Sequence, residues 1–379
     1  MSARVVVLGA GAAGLSAANR LAGARLPGVE VVVVDRSGDH VFWPGLVSVL
    51  FGDADPAGIR KPITLLAADS VRLLAGELTE VRASEDRVTG SFGELPYDYL
   101  IVALGAEVGW ADQLPACGEL APWTVAGAAA GQQALRRLGP GSRVVVGPAS
   151  LPYRCPPAVF DFAARVRHVT GADVTVVHPW GEPLEPFGEQ PVRVATRLLQ
   201  AAGVAFRGRF PIARIEPDAV LDETGQAVPY DAAFVVPPHR PPRVVAESGL
   251  AAPSGWMSVG FPGLRHPEHP RVFGAGDLVG PVLGAGMAGT LGVFEGAYVA
   301  DAVAAELTGH PAPPRPRMAA ICFFDTGRTG SFLYCDFGPP AAGAGPAGCV
   351  FMPELPYFRQ AKQLFAQEWF ASMLTGEVG

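Results

Sequence analysis

The chain has 379 residues, of which 49% are hydrophobic and 17% are charged, and its formal net charge is -7 at pH 7. A chain of this length and composition can bury one large core or two moderate ones, so we expect a globular protein. The acidic balance, without any basic block, argues against a phosphate-backbone partner, and no nucleic acid is expected.

The start of the chain and its cysteines bear on where the protein resides. The first strand starts by Arg4, which leaves no room for a signal peptide. No run approaches roughly eighteen apolar residues, so we expect no membrane-spanning helix and only peripheral membrane contact. The cysteines are too few and too scattered for a structural disulfide framework or a CxxC metal site. They are Cys117, Cys155, Cys322, Cys335 and Cys349. We therefore expect a cytoplasmic protein, peripheral to the inner membrane, with no metal site.

The predicted elements begin with a βαβ unit, formed by a strand at residues 5–8, a helix at 12–24 and a strand at 31–34. Short antiparallel strands follow over residues 73–104. They end in an apolar strand that leads into a glycine.

A second βαβ unit combines a strand at 144–146, a helix at 158–168 and a strand at 174–177. A helix near residues 192–202 and further short strands come next. A strand, turn and helix over residues 272–307 then return the chain to the first unit.

The fold class is therefore α/β, with two Rossmann-like domains and a C-terminal amphipathic helical tail. The first domain is discontinuous and is predicted at 1–110 and 250–310, and the second at 111–249. The C-terminal region is predicted at 311–379.

A dinucleotide fingerprint opens the first helix. Three glycines follow the first strand with the spacing GxGxxG, and an aspartate ends the next strand. Glycines let the backbone approach a pyrophosphate at a helix N-terminus, and the acid would accept a ribose hydroxyl. The alternative is a glycine turn without a ligand. We favour a nucleotide site made of Gly9, Gly11, Ala12, Gly14, Asp35 and Arg36.

Two later segments favour FAD over NAD. Residues 97–105 are similar to the strand that returns from the second domain in two-dinucleotide flavoproteins. Residues 272–277 (VFGAGD) are similar to the second FAD motif of those proteins, whose aspartate contacts the ribityl-phosphate region. The alternative role for this aspartate is a helix N-cap. The predicted contacts are Ala103, Gly105, Gly276 and Asp277.

The second βαβ unit lacks an intact fingerprint. Its first strand is followed by GPASLP at residues 147–152, where prolines remove backbone donors and only one glycine allows close approach. A pyrophosphate would be poorly held, so a nicotinamide donor is not expected, although an unusual nucleotide site stays an alternative.

Cys155 stands in this loop, followed by two prolines. Because proline favours the first helical positions, the thiol should lie at the N-terminus of the next helix. The helix dipole there lowers a thiol pKa and favours the thiolate. A buried, inert cysteine is the alternative.

These segments together resemble the sulfide:quinone oxidoreductase and flavocytochrome c sulfide dehydrogenase family. Residues 147–161 are similar to its first redox-cysteine segment, and residues 321–324 are similar to its second. Residues 235–241 resemble the proline-rich strand beneath its flavin, and residues 287–296 match the helix after its FAD aspartate.

The resemblance implies that Cys155 and Cys322 form a disulfide or polysulfide bridge beside the flavin. Sulfide, or a small thiol or persulfide, would open the bridge, and FAD would pass two electrons to a quinone. Asp161 occupies the place of a family glutamate that is proposed as a general acid or base. Its shorter side chain leaves a structural role at the helix N-terminus equally open.

Residues 40–44 contain no cysteine where cytochrome-linked members attach FAD covalently, so we predict noncovalent FAD. Cys117 lies near the position of a third family cysteine and is interpreted as structural. Cys335 and Cys349 have no assigned role, and oxidation between them is an open alternative.

The tail contains a predicted amphipathic helix at residues 355–374. Its stripe consists of Phe358, Ala361, Phe365, Trp369 and Met373, flanked by Leu364, Phe370 and Leu374 and edged by Arg359 and Lys362. Such a helix either lies in a bilayer interface or docks on its own domain or a partner. The pattern alone leaves both open, and the family resemblance favours the membrane. A quinone would then enter near Phe323, Phe324 and Phe332.

The leading interpretation is a peripheral sulfide:quinone oxidoreductase. One alternative is a soluble flavoprotein that acts on organic thiols or persulfides, or that reduces a cytochrome c. Others are a type-two NADH:quinone dehydrogenase and a non-enzymatic flavin and thiol redox sensor. The sequence leaves the oligomeric state open, including a homo-oligomer.

Overall fold

The computed structural model describes residues 3–109, 120–284, 286–314, 319–337 and 348–375. Cys117 and the side chain of Met373, both named above, lie outside this description. The strands, in chain order, are β1 Ala3–Leu8, β2 Val29–Asp35, β3 Asp39–Val41, β4 Arg60–Pro62, β5 Val71–Ala75, β6 Leu78–Arg82, β7 Arg87–Gly90, β8 Gly93–Pro96, β9 Tyr99–Val102, β10 Glu107–Val108, β11 Arg143–Pro148, β12 Asp173–Val177, β13 Ala205–Arg207, β14 Ile212–Ile215, β15 Ala219–Asp222, β16 Ala227–Pro229, β17 Ala232–Val236, β18 His239–Arg240, β19 Val272–Gly274, β20 Ala319–Asp325, β21 Gly330–Asp336 and β22 Gly348–Phe351. The helices are α1 Ala12–Gly23, α2 Gly45–Phe51, α3 Val125–Leu135, α4 Ala158–Thr170, α5 Glu189–Ala202, α6 Arg243–Glu247, α7 Gly280–Leu283, α8 Gly289–Thr308 and α9 Pro356–Glu368.

The first sheet is parallel, in the order β19-β9-β1-β2-β5. β1 pairs with β2 from Ala3 opposite Val29 to Leu8 opposite Val34. The central valines of both strands are fully buried, as parallel strands covered on both faces require. The first predicted βαβ unit is therefore β1-α1-β2, and the α/β fold class is confirmed.

Helices α1 and α8 pack at very close range beside this sheet. A Cβ atom added at Gly296 would lie 2.1 Å from the Ala13 carbonyl oxygen. Ser16 Oγ donates a hydrogen bond to the carbonyl oxygen of Val293 at 2.8 Å. A Cβ atom at Gly276 would lie only 3.1 Å from the Cβ of Ala13. This packing brings the turn before α8 next to the N-terminus of α1.

The second sheet is also parallel, in the order β13-β12-β11-β17. The predicted second βαβ unit corresponds to β11, α4 and β12. α4 begins at Ala158, as the two preceding prolines predict, and it runs on to Thr170. Its residues Val159, Phe162, Ala163 and Val166 are fully buried, which confirms their interpretation as core.

The C-terminal region contains an antiparallel sheet, β20-β21-β22, that the sequence analysis did not predict. Cys335 on β21 lies opposite Cys349 on β22, and the two form a disulfide with an S–S distance of 2.02 Å. The alternative of oxidation between these two cysteines, which the sequence left open, is therefore the one that the structure shows. Scattered spacing gave no signal for this pair because its partners meet across strands.

The tail continues as α9 and a π-helical turn at Trp369–Met373. Across the ranges given above, the structure has no helix with the length and apolar character to cross a membrane. The aromatic stripe faces the protein and not an open surface: Trp369 is 2% exposed and Phe365 lies against the core. This packing does not support the prediction that these aromatic side chains insert into a bilayer. Leu355, Tyr357 and Leu364 are large apolar residues of this segment that are exposed.

Candidate active site

A cavity of about 860 Å³ lies at the carboxyl ends of the parallel strands in the first sheet. Ligands of open α/β sheets bind at this edge. The cavity is walled by the turn after β1, the ends of β2, β9 and β19, the loop before α4, the middle of β20, and α9. The cavity is lined by all three predicted catalytic residues and by every predicted cofactor residue except Gly14, which packs behind the turn. The lining residues are Gly9, Gly11, Ala12, Asp35, Arg36, Ala103, Gly105, Gly276, Asp277, Cys155, Asp161 and Cys322.

Each glycine of the fingerprint has its own geometric reason. Gly9 has a φ of 97°, and a Cβ atom there would lie 2.5 Å from the Ala103 carbonyl oxygen. A Cβ atom at Gly14 would lie 1.9 Å from the Gly9 carbonyl oxygen. At Gly11 no atom stands within 4 Å of such a Cβ, so this residue faces the cavity. The turn therefore leaves bare backbone toward a ligand, as a pyrophosphate needs.

Asp35 fastens this turn to the end of β2. Its Oδ2 accepts from the Ala10 N–H at 2.8 Å, and its Oδ1 accepts from the N–H and the hydroxyl of Ser37, both at 2.8 Å. A carboxylate oxygen accepts up to two hydrogen bonds, so Oδ2 can accept a second one from a ribose hydroxyl. This contact stays a prediction. Arg36 lies at the rim, 65% exposed and 3.6 Å from Glu77.

Arg154 is a site residue that the sequence analysis missed. Its Nε donates to Asp277 Oδ2 at 2.6 Å, and its guanidinium carbon lies 4.6 Å from the centre of the Trp43 ring. Asp277 makes this ion pair and no N-cap hydrogen bond, so the capping alternative is wrong. The available signal was an arginine directly before the redox cysteine.

A buried acid supports the same turn from behind. Glu295 on α8 is fully buried, and its Oε2 accepts from the Gly276 N–H at 2.6 Å. Burial raises the pKa of Glu295 to about 8, opposed by the Gly276 hydrogen bond and assisted by the charge of Asp277. Glu295 therefore holds the backbone before Asp277 without adding a full charge at neutral pH.

We expect Gly14→Ala and Gly11→Ala to separate fold from cofactor binding. At Gly14 the added methyl group overlaps the Gly9 carbonyl, and overpacking of this kind costs about 1–3 kcal/mol, so the apoprotein should melt earlier. At Gly11 the methyl group enters the cavity, so apoprotein stability should hold while FAD affinity falls. Thermal unfolding and fluorescence titration measure the two effects. Equal effects of both substitutions on the apoprotein would contradict this division.

The two predicted redox cysteines meet at the wall of the cavity. Cys155 Sγ and Cys322 Sγ are 3.8 Å apart, although 167 positions separate them in the chain. Cys155 has a φ of 54°, a left-handed conformation that costs a residue with a side chain about 1 kcal/mol. Both residues are free thiols, half-buried, and line the cavity. The alternative of an inert, enclosed Cys155 is therefore not supported by its position.

The electrostatics of the pair are asymmetric. The pKa of Cys155 is lowered by its hydrogen bond with Cys322, against desolvation, and the charge of Lys362 lowers it further. The pKa of Cys322 is raised by its hydrogen bond to Cys155 and by burial. Cys155 is therefore the thiolate of the pair, consistent with its place before α4.

Lys362 is the second site residue that the sequence analysis placed wrongly. It was assigned to the edge of a membrane-facing helix, but its Nζ donates to Asp161 Oδ2 beside the cysteines. Asp161 is 1% exposed, and its Oδ1 accepts from the Asp325 N–H at the end of β20. Burial raises the pKa of Asp161, and the charge of Lys362 opposes this. Asp161 thus holds α4, β20 and α9 together.

The tail is also joined to the glycine turn. The Trp369 indole N–H donates to His40 Nε2 at 2.9 Å, and because indole is only a donor, the proton of His40 is on Nδ1. Nδ1 lies 3.0 Å from the Ala10 carbonyl oxygen, to which it donates. Burial lowers the pKa of His40, which keeps this ring neutral. The C-terminal segment therefore forms one wall of the cavity.

Of the phenylalanines predicted near a quinone, two stay candidates. Phe323 lines the cavity beside Phe365, with 5.2 Å between ring centres. Phe332 packs against Phe323. Phe324 points to the opposite face of β20, where it is 1% exposed and packs on Phe351. Phe324 is not among the residues that line the cavity, so the structure does not support its predicted place near a quinone.

Comparisons with known proteins agree with this site. The family described as pyridine nucleotide-disulphide oxidoreductase matches residues 3–301. A mitochondrial sulfide:quinone oxidoreductase from Mus musculus is 25% identical over 296 residues, which are 72% of this chain and 65% of that protein. The chain thus spans less than two thirds of this relative. A type II NADH:quinone oxidoreductase from Mycobacterium tuberculosis is 26% identical over 367 residues, covering 86% of this chain and 76% of that protein.

Among solved structures, the sulfide:quinone oxidoreductase from Aquifex aeolicus has a TM-score of 0.83 at 20% identity. The alignment covers 100% of this chain and 92% of that one, so the two share their fold. The predicted resemblance, the oxidoreductase class and the FAD cofactor are confirmed by the family match. The open backbone at the glycine turn and the cavity beside it fit this cofactor. The chain belongs to the pyridine nucleotide-disulphide oxidoreductase family.

Proposed function

We propose that this protein oxidises sulfide at the Cys155–Cys322 pair and passes the electrons through noncovalently bound FAD to a quinone. The observation that carries the proposal is the 3.8 Å approach of the two sulfur atoms in the wall of the cavity. FAD, when bound, supplies a two-electron acceptor. The similarity to sulfide:quinone oxidoreductases supports the choice of substrate and acceptor.

The reaction on the protein begins from a Cys155–Cys322 disulfide. A hydrosulfide ion attacks Cys322 Sγ, the new S–S bond forms a persulfide there, and the old bond breaks to release Cys155 as a thiolate. Cys155 is the better leaving group because the positive charge of Lys362 favours its thiolate. Electrons and atoms balance, since one S–S bond replaces another.

In this step Lys362 stabilises the negative charge and Asp161 accepts the proton. The ammonium group of Lys362 offsets the negative charge that appears on Cys155. Asp161 lines the same cavity as the two cysteines, and burial raises the pKa of its carboxyl, so we propose that it takes the proton of the persulfide. The general acid or base role of Asp161 is thus a proposal beside its structural hydrogen bonds.

The geometry of the second βαβ unit favours sulfide over NADH. In the first unit, Leu8 at the end of β1 pairs with Val34, and the next residue of β2 is Asp35, the predicted ribose acceptor. In the second unit, Val146 pairs with Val176, so the equivalent position on β12 is Val177. Valine offers no acceptor for a ribose hydroxyl. NADH oxidation remains the competing candidate, because one relative is a type II NADH:quinone oxidoreductase. The experiment below distinguishes sulfide oxidation from NADH oxidation.

We expect anaerobic sulfide to bleach the flavin absorbance on a time scale that a stopped-flow instrument resolves, and a ubiquinone analogue to restore it. NADH should leave the oxidised spectrum unchanged. Rapid bleaching by NADH without any response to sulfide would contradict the proposal and favour the NADH:quinone reaction. Bleaching by an organic thiol or persulfide in place of sulfide would favour the soluble alternative.

We also propose that the protein contacts a membrane surface peripherally. The exposed apolar side chains Leu355, Tyr357 and Leu364 lie at α9, beside the wall that carries Phe323 and Phe365. A quinone held in lipid would then enter between them. Sedimentation with lipid vesicles tests this contact, and Leu364→Glu should reduce the bound fraction while quinone analogues in solution are still reduced.

A further inference from the structure

The loop that carries Cys155 is supported from behind by a chain of hydrogen bonds. Tyr153 Oη donates to the Pro156 carbonyl oxygen at 3.0 Å. The same Oη lies 3.0 Å from His178 Nε2, and His178 Nδ1 accepts from the Trp180 N–H at 3.1 Å. Because Nδ1 accepts, the ring proton is on Nε2 and is donated to Tyr153. Every member of the chain therefore has one defined donor direction.

The side chains of this hydrogen-bond chain are buried, and each keeps a single protonation state. Tyr153 is 1% exposed and His178 is fully buried, between Phe160 and Trp180. Burial lowers the pKa of His178 to about 3 and raises the pKa of Tyr153 well above its ordinary value. Neither group is used in the proposed reaction. An enclosed polar chain of this kind needs a structural or positioning role, since each unmade hydrogen bond would be costly.

The residue that this chain braces is the one with the unfavourable backbone. Cys155 has a φ of 54°, and the carbonyl bonded by Tyr153 belongs to Pro156, the next residue. On the other side, the Cys155 N–H donates to the Met287 carbonyl oxygen at 2.9 Å. The Trp123 indole N–H holds the Arg154 carbonyl oxygen at 2.8 Å. Three contacts thus converge on the peptides around Cys155.

We propose that Tyr153 and His178 are positioning residues that hold the left-handed backbone of Cys155, so that its sulfur stays opposite the sulfur of Cys322. His178 directly follows β12, so the second sheet supports the cysteine loop at the edge where its βαβ unit lacks a nucleotide fingerprint. The inference rests on the proposed redox role of the cysteine pair. It adds which part of the fold sets the proximity of the two thiols.

The experiment is a thiol–disulfide equilibrium of the FAD-loaded protein with glutathione. Two glutathione molecules reduce the Cys155–Cys322 bond and yield two protein thiols and glutathione disulfide. Differential alkylation and mass spectrometry of the two cysteine peptides measure the ratio. Because a lost hydrogen bond of this kind is worth roughly a factor of ten, Tyr153→Phe should make the disulfide about tenfold easier to reduce.

Tyr230→Phe is the matched control. Its hydroxyl also donates to a backbone carbonyl, that of Glu216, within the same part of the fold but away from the cavity. This variant should keep the equilibrium of the unaltered protein. If Tyr153→Phe and Tyr230→Phe give the same equilibrium, the inference is overturned.

His178→Phe provides the second variant, because a phenyl ring keeps the aromatic packing and removes both hydrogen bonds. It should shift the equilibrium in the same direction by about threefold, a fraction of one hydrogen bond. If Tyr153→Phe yields no folded protein, this variant decides the matter, and an unchanged equilibrium there overturns the inference. If the unaltered protein forms no Cys155–Cys322 disulfide at any glutathione ratio, the proposed function itself fails.

Discussion

Replacing Cys155 with serine is expected to reduce the rate of sulfide-driven flavin reduction by at least about a thousandfold, the scale on which loss of a covalent catalytic group acts. A serine hydroxyl cannot form the disulfide that hydrosulfide attacks, and Cys322 then has no partner at 3.8 Å. FAD should stay bound, because the glycine turn and Asp277 lie on other elements. Stopped-flow absorbance measures the rate, and the protein-bound flavin spectrum reports the occupancy.

The matched control for this substitution is Cys349→Ser. It removes a cysteine that forms a disulfide with Cys335 between β21 and β22, so the melting temperature should fall. Closing a loop of this size contributes about 3 kcal/mol, yet the rate of flavin reduction should hold. Turnover retained in Cys155→Ser, or lost equally in both variants, would remove Cys155 from the mechanism.

Replacing Lys362 with methionine is expected to raise the pKa of Cys155, which is the second largest of the expected effects. The ammonium group contacts Asp161 and lowers the pKa of Cys155, whose thiolate exists above that pKa and is lost as the pH falls through it. Without Lys362 the pKa of Cys155 rises, so its reactive range moves to higher pH. A rise of one unit lowers the thiolate fraction about tenfold at a pH below both values, and alkaline pH should restore the rate of Cys155 alkylation.

The pH dependence of Cys155 alkylation, followed by mass spectrometry in the reduced protein, measures this shift. Arg359→Met is the matched control, because it removes a cation from the same helix at a site where Arg359 faces Asp325. It should leave the alkylation profile in place. If the pH profile of Cys155 alkylation in Lys362→Met coincides with that of the unaltered protein, Lys362 does not stabilise the Cys155 thiolate.

The cofactor side of the site could be predicted because its signals are local. The glycine turn and the first turn of α1 are consecutive in sequence, and the acid at Asp35 closes the same βαβ unit. Likewise, the prolines after Cys155 predict that a helix begins there, and α4 begins at Ala158. Backbone conformation and helix initiation depend on neighbouring residues, so sequence patterns carry them.

The thiol side needed the tertiary structure. Amphipathic periodicity shows that α9 has an apolar face, but it does not say what covers that face. The structure packs it against the glycine turn through Trp369 and His40, which turns Lys362 inward. The sequence analysis placed this lysine at a lipid edge because a charge at the border of an apolar stripe has the same pattern in both cases.

By itself, the sequence determined the α/β class, the two βαβ units, the glycine turn of the first unit and the helix that begins after Cys155, all through short-range conformational rules. Only the tertiary structure decided which groups surround the thiols. Cys155, Cys322 and Lys362 lie on α4's leading loop, β20 and α9, and their proximity depends on how these elements pack. Pairwise distances, desolvation and charge in that enclosure set the pKa asymmetry of the two cysteines, and no local pattern encodes them.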